Sequence, residues 1–207
     1  MTGPEDELRH VAEVGFWGHA LTLNLLGNYL RYATVDHNIG HWREVPLLEE
    51  DAEQGNHAHS MLHAYENWLG PASRELAVVR LLALFDRPAD VGCFNALRRP
   101  PAIHGLPYAL SEDHWNRTLS RLEDLRLLTR TGGVESQIDS HPLVRQYFAV
   151  QFKTQQPEAW KAAHRPLYEH LRDTTPPLPD TLEGMLPLYH AVTHGCQAGL
   201  LRDAFQH

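Results

Sequence analysis

His141 directly precedes the amphipathic segment Pro142–Phe152, and its position suggests a chemical role. Proline suits a first helical position because its missing N–H would have no partner there. Ser140 or His141 is therefore expected at the helix N-cap. Backbone N–H groups and the helix dipole favour an anion at such an end. His141 could contact a phosphate, or it could be an ordinary cap or interface histidine.

Fifteen histidines in the chain raise the question of a metal site. Three pairs have i,i+4 spacing, which places both rings of a pair on one helix face. These pairs are His37 and His41, His59 and His63, and His190 and His194. A zinc site needs three or four ligands, and metalloprotease chemistry needs a glutamate between the histidines. None of the pairs encloses a glutamate, so we predict structural or exposed histidines and no metal ligands.

Nucleophilic chemistry has little support in the sequence. Lone cysteines such as Cys93 and Cys196 are usually small buried hydrophobes. The run Asp139, Ser140 and His141 contains the residue types of a catalytic triad, but adjacent positions do not converge easily on one point. We predict no catalytic residue.

Nucleotide hydrolysis also lacks its usual motif. The sequence contains no G-x-x-x-x-G-K-[ST] phosphate loop, and neither Lys153 nor Lys161 follows a glycine-rich turn. The chain is therefore not expected to be an ATPase by itself.

Composition narrows the class of protein further. The net charge is −8, and the acidic excess lies in residues 1–70, so there is no basic stripe typical of nucleic-acid binding. The longest strictly apolar run, Leu81–Phe85, is far too short to span a membrane. The acidic start of the chain is unlike a signal peptide. Two distant cysteines indicate a reducing, cytoplasmic environment without a disulfide framework.

Hydrophobic periodicity predicts a mainly α fold in three segments. Residues 1–70 are expected to form a small helical bundle, and Gly70-Pro71 marks its boundary. Its helices are predicted at Pro4–Val14, Gly18–Tyr32 and Asn56–Leu69. Gly27, inside the second helix, indicates a site of close packing, because glycine there costs about 1 kcal/mol against alanine.

Residues 71–155 have the order of a winged helix, which is three helices followed by a β-hairpin. The predicted helices are Ser73–Phe85, Val91–Leu97 and Glu112–Asp124, the last capped by Ser111. A hairpin should turn at Gly132-Gly133, with Val134–Ile138 as its second strand. His141 follows this wing directly.

Residues 156–207 return to helical patterns. Helices are predicted at Glu158–Arg172, Leu182–Gln197 and Leu200–His207. The small residues of HAVTHGCQAG suit close helix packing, as at the start of a helical repeat.

Three stretches resemble one family when taken in order: GHALTLNLLGNYL (18–30), LAVVRLLALFDRPAD (76–90) and LEDLRLLTRTGGVESQIDSHPLVRQYF (122–148). They resemble the helical (ARC-like) and winged-helix region of bacterial NB-ARC and other STAND-type signalling ATPases. HAVTHGCQAG resembles the entry into a TPR-like sensor.

The resemblance implies a role for His141, which matches the family histidine that reaches the β-phosphate of bound ADP. Pro142 and Ala20 stand where many family members have aspartate and proline. By the resemblance, ADP or ATP would bind the full-length protein but not this piece alone. The nucleotide-binding domain would lie upstream and further repeats downstream, and the active state would bind protein partners or form a homo-oligomer.

Two functional hypotheses follow. The first is a regulatory and interaction module that couples nucleotide state to a C-terminal sensor. The alternative is a DNA-binding winged-helix regulator, in which the third helix would enter the major groove. That helix, Ser111–Asp124, has a net charge of −2, which disfavours DNA. Arg126 and Arg130 in the wing favour DNA only weakly.

Overall fold

A computed structural model describes residues 2–15, 19–45, 57–131 and 137–204 of the chain. Within these ranges the fold is mainly helical with one small antiparallel sheet, which confirms the predicted fold class. None of the helices in the described ranges is long and apolar enough to cross a membrane.

The first segment contains short helices around a buried α2–α3 pair. Its elements are α1 (Glu5–His10), a π-helical turn (Val11–Gly15), α2 (Ala20–Ala33), a 3₁₀ helix (Ile39–Glu44) and α3 (Ala58–Leu69). His19 caps α2, since its Nδ1 accepts a hydrogen bond from Thr22 N at 3.3 Å. α3 ends at Gly70, whose φ of +82° suits glycine. The predicted helix starts at Gly18 and Asn56 lie outside the described residues.

The second segment has the winged-helix order that the sequence predicts. Its elements are α4 (Arg74–Leu82), β1 (Ala89–Asp90), α5 (Val91–Leu97), α6 (Glu112–Asp124), β2 (Thr129–Thr131), β3 (Gln137–Asp139) and α7 (Pro142–Gln155). Side chains of Ser73, Asp90 and Ser111 cap α4, α5 and α6 by accepting a backbone N–H three residues on. The predicted bounds of α5 and α6 are confirmed.

The sheet has one strand more than the predicted hairpin. Its order is β1-β3-β2, so Ile138 on β3 pairs with Ala89 on one side and with Arg130 on the other. No strand was predicted at Ala89 and Asp90, because two residues are too few to show a strand period. The predicted turn at Gly132-Gly133 lies outside the described residues.

The third segment is a helical hairpin with a short following helix. Its elements are α8 (Pro157–Thr174), α9 (Leu182–Gln197) and α10 (Leu201–Ala204). A Cβ at Gly195 would lie 2.7 Å from Ala204 Cβ and 3.0 Å from a ring carbon of Tyr168. The close helix packing predicted for the small residues of α9 is therefore confirmed at this position.

Buried side chains of all three segments belong to one continuous hydrophobic cluster. Tyr65 of α3 donates hydrogen bonds to Leu25 O at 3.0 Å and to Leu125 O at 3.4 Å. Tyr147 of α7 donates to Glu66 of α3 at 3.0 Å. The first segment thus packs on both the end of α6 and α7. The division into domains 1–70, 71–155 and 156–207 stays a prediction.

Candidate functional site

His141 is the N-cap of α7 and lies exposed on the surface. Its Nδ1 accepts a hydrogen bond from Leu143 N at 3.2 Å, so the predicted cap is confirmed. In a neutral ring with an accepting Nδ1, the proton is on Nε2. The exposed ring can therefore present its Nε2–H donor to another molecule. The first backbone N–H groups of the helix, those of Leu143, Val144 and Arg145, are already bonded to His141.

Asp139 and Ser140, which precede His141, take part in hydrogen bonds that fix the backbone between β3 and α7. Ser140 is 3% exposed, and its hydroxyl donates to Leu127 O at 2.6 Å. Its backbone N–H donates to Asp139 Oδ1 at 2.7 Å. Because the Ser140 hydroxyl is bound to a carbonyl, it does not form a nucleophile–base pair with His141.

Arg145, one turn into α7, completes this arrangement. Its guanidinium forms an ion pair with the Asp139 carboxylate and donates to Asp86 O at 3.0 Å. Its side chain is only 11% exposed. Arg145 is therefore a paired residue and not a solvated surface charge. Asp139, Ser140, His141 and Arg145 are called the cap corner below.

A pocket of about 380 Å³ lies beside the cap corner, between the end of α4 and helices α7, α8 and α9. Its lining includes Arg145 of the cap corner together with Trp160, His164 and His194. This pocket is called the junction pocket, since it joins the winged-helix segment to the third segment.

Two buried histidines meet at the junction pocket. His164 of α8 and His194 of α9 are 3% and 6% exposed, and their Nδ1 atoms lie 2.8 Å apart. Burial, together with the facing imidazole of His194, lowers the pKa of His164 to about 3. Burial also lowers the pKa of His194 to about 4. Both rings are therefore neutral near pH 7, with one Nδ1 donating to the other.

Several buried nitrogen atoms of residues lining this pocket have no protein hydrogen-bond partner within the described ranges. They are Trp160 Nε1, His164 Nε2 and His190 Nε2. Burial also lowers the pKa of His190. Buried polar groups are normally hydrogen-bonded, so the junction pocket is suited to a molecule with polar atoms.

In the i,i+4 pairs His37–His41 and His59–His63, the second histidine is hydrogen-bonded to protein groups. His41 lies between Glu44 at 2.7 Å and Asp36 at 2.9 Å, and the hydrogen bond to Glu44 raises its pKa. His63 Nδ1 lies 3.2 Å from the Tyr147 hydroxyl. The prediction that the i,i+4 pairs bind no metal stays a prediction.

The described residues also form a cluster that sequence reasoning missed. Asp90, Cys93 and His170 bring one potential ligand atom each to within 4.8 Å of one another. Cys93 was interpreted from the sequence only as a lone buried cysteine. The spacing of Asp90 and Cys93 was visible there, but nothing in the sequence connects them to His170.

Three of the basic side chains in the third winged-helix helix and the wing are paired with acids, whereas Arg126 is exposed and has no ion pair among the described residues. Arg121 of α6 lies 3.0 Å from Glu75, and Arg117 lies 3.9 Å from Asp113. Arg130 of β2 pairs with Glu123. This surface therefore presents little unpaired positive charge to a phosphate backbone.

Comparison with known proteins returned no matching protein-family profile and no matching curated sequence. The class that can be stated is a mainly α chain with a winged-helix order of elements followed by a helical hairpin. Function is therefore argued from the cap corner and its surroundings.

Proposed function

We propose that this chain is a regulatory and interaction module of a STAND-type nucleotide-switch signalling protein. The observation that carries the proposal is the exposed cap histidine on a rigidly held helix end, directly after the wing. The resemblance of residues 18–30, 76–90 and 122–148 to that family supports it.

In the proposed resting state, His141 donates a hydrogen bond to the β-phosphate of ADP bound by an upstream nucleotide domain. The dipole of α7 adds a favourable field for the anion at this helix end. The Arg145 contacts to Asp139 and Asp86 keep this end aligned with the winged helix. ADP thus holds two domains together in a closed state.

Activation in this proposal replaces ADP by ATP and opens the closed state. A signal would arrive through helical repeats downstream of α9, and the open protein would bind partners or form a homo-oligomer in the cytoplasm. Such a switch requires that nucleotide bind one state more tightly than the other.

The test is ADP release from the full-length protein with His141→Ala. Loss of one phosphate hydrogen bond, about 1–3 kcal/mol, should speed release roughly 5- to 150-fold. His104→Ala, another exposed histidine, is the matched control and should leave release unchanged. Equal release rates in wild type and His141→Ala would contradict the sensor role.

The 207-residue chain alone should bind ADP no more tightly than about millimolar, because one hydrogen bond supplies only part of the roughly 4 kcal/mol required. Micromolar binding or ATP turnover by this chain would contradict the proposal. Salt-sensitive duplex binding in a mobility-shift titration would instead favour the DNA-binding alternative.

A further inference from the structure

Asp90, Cys93 and His170 join two parts of the fold that are far apart in sequence. Asp90 is the N-cap of α5, Cys93 lies in the first turn of that helix, and His170 lies near the end of α8. Asp90 is exposed, His170 is half-buried and Cys93 is buried. Their carboxylate, thiol and imidazole atoms lie within 4.8 Å of one another.

The donor set fits zinc, which binds cysteine sulfur, histidine nitrogen and carboxylate oxygen with tetrahedral geometry. Ligand distances of about 2.3 Å for sulfur and 2.0 Å for oxygen place two tetrahedral ligands about 3.5 Å apart. Cys93 Sγ lies 3.6 Å from Asp90 Oδ2. This contact, a hydrogen bond from the thiol to the carboxylate, has the length of one edge of the tetrahedron, and the other two separations are no longer than 4.8 Å.

The two carboxylate oxygens of Asp90 have separate roles. Oδ1 accepts the Cys93 N–H at 2.9 Å and so caps the helix. Oδ2 faces the Cys93 thiol. A metal bound through Oδ2 would therefore leave the helix cap in place.

Gly92 gives independent evidence that the approach of His170 is built into the fold. A Cβ on Gly92 would lie 2.7 Å from His170 Nε2 and 2.9 Å from Asp90 Oδ1. The backbone of Gly92 is not in the left-handed region, so its conformation does not require glycine. Glycine also weakens a helix relative to alanine. What the missing side chain provides is room for the imidazole beside the carboxylate.

The cluster is also accessible. Asp90 and Cys93 line a pocket of about 450 Å³ between the β1–α5 corner and α9, and Glu183 also belongs to its lining. This pocket offers an entry path and space for a fourth ligand.

We propose that Asp90, Cys93 and His170 bind one Zn²⁺ ion, with the fourth position open to the pocket. The carboxylate and the thiolate together balance the two positive charges, and the Cys93 thiol proton is released to solvent on binding. Through these ligands, the ion cross-links α5 of the winged helix to α8 of the third segment. If it binds, the sequence-based prediction of no metal ligand is wrong.

Cobalt(II) titration of the 207-residue chain tests the site, because cobalt takes zinc positions and a thiolate ligand gives a near-ultraviolet charge-transfer band. One equivalent should produce this band, and one equivalent of Zn²⁺ should abolish it. Cys93→Ser should remove the band. Cys196→Ser, the matched control at the other cysteine, should retain it.

Asp90→Asn separates the metal ligand from the helix cap, since asparagine caps as well as aspartate. This variant should fold normally by circular dichroism and bind cobalt at least tenfold more weakly. His170→Gln should do the same, and these two variants decide the matter if Cys93→Ser does not fold. A missing band in the wild type would show that Cys93 is not a ligand and would overturn the proposal. Unchanged cobalt affinity in both variants would overturn it as well, in favour of adventitious binding by surface histidines.

Discussion

The cap corner and the α8–α9 hairpin use the same side chain in opposite environments. His141 is exposed at a helix end, and its side chain accepts one hydrogen bond, from its own helix. His164 and His194 are buried and bonded to each other across two helices. The first arrangement leaves a donor free for another molecule. The second makes the packing of α8 on α9 depend on both rings staying neutral.

The difference teaches that the surroundings of a histidine decide its role. An exposed cap contributes little to stability and is free to bind a ligand. A buried pair contributes more to stability and responds to pH, because a proton added to either ring places a charge in an apolar site. Stability measurements should therefore separate the two regions clearly.

The largest expected effect is on pH dependence. The lowered pKa values of His164 and His194 mean that the unfolded chain, with histidine pKa values near 6.5, binds more protons than the folded chain at mildly acidic pH. The contribution of the two neutral histidines to the free energy of unfolding is complete above about pH 6.5. It is lost as the pH falls from there towards their pKa values in the folded state. From pH 7 to pH 5 the free energy of unfolding should fall by about 2–4 kcal/mol, measured by urea denaturation.

Replacing both buried histidines, His164→Leu with His194→Leu, should flatten this pH profile. His141→Gln is the control in the exposed region and should leave the slope between pH 7 and pH 5 unchanged. A steep slope that persists in the double variant would mean that other groups carry the effect and that the comparison is wrong.

The next effect in size is the loss of one partner of the buried pair. His164→Ala should lower the free energy of unfolding at pH 7 by about 2–4 kcal/mol, because it leaves a cavity and an unpaired His194 Nδ1. The double leucine variant should lose less than this, since it removes both polar partners together. Thermal unfolding monitored by circular dichroism measures the difference, and equal losses would show that the hydrogen bond between the rings contributes nothing.

The smallest expected effect is at the cap corner. His141→Ala should cost the 207-residue chain about 0.5–1 kcal/mol, the range of a lost N-cap. His141→Asn should restore most of this, because asparagine is among the preferred caps. A loss of 3 kcal/mol or more in the same denaturation assay would make His141 a structural residue and remove the contrast with the buried pair.

Much of the helical framework could be predicted because its signals are local. The N-cap Ser111 marks the start of α6. The helical spacing of Trp115, Leu119 and Leu122 marks its apolar face, and these three side chains are buried. Strand β1 was missed because two residues show no alternation. Gly27 was misinterpreted, since a Cβ there would meet nothing within 4 Å. A glycine alone does not tell which neighbours surround it.

The candidate site also contains one feature that the sequence predicts locally and several contacts that it does not. The His141 cap was predictable because Pro142 marks the first helical position. The bond from Arg145 to Asp86 joins positions 59 residues apart, and the His164–His194 bond joins positions 30 apart. Such contacts depend on how helices pack, and residue spacing within one sequence contains no signal for them.

The short link between α7 and α8 has a mechanical consequence. Only Gln156 separates the two helices, and its side chain lies against Gly105. α7, with 14 residues, is about 21 Å long. A ten-degree rotation of this helix about its His141 end would move its far end by about 4 Å, given that length. Because a single residue links the two helices, α8 would be displaced together with α7. A movement at the His141 end would therefore be transmitted to the C-terminal helices.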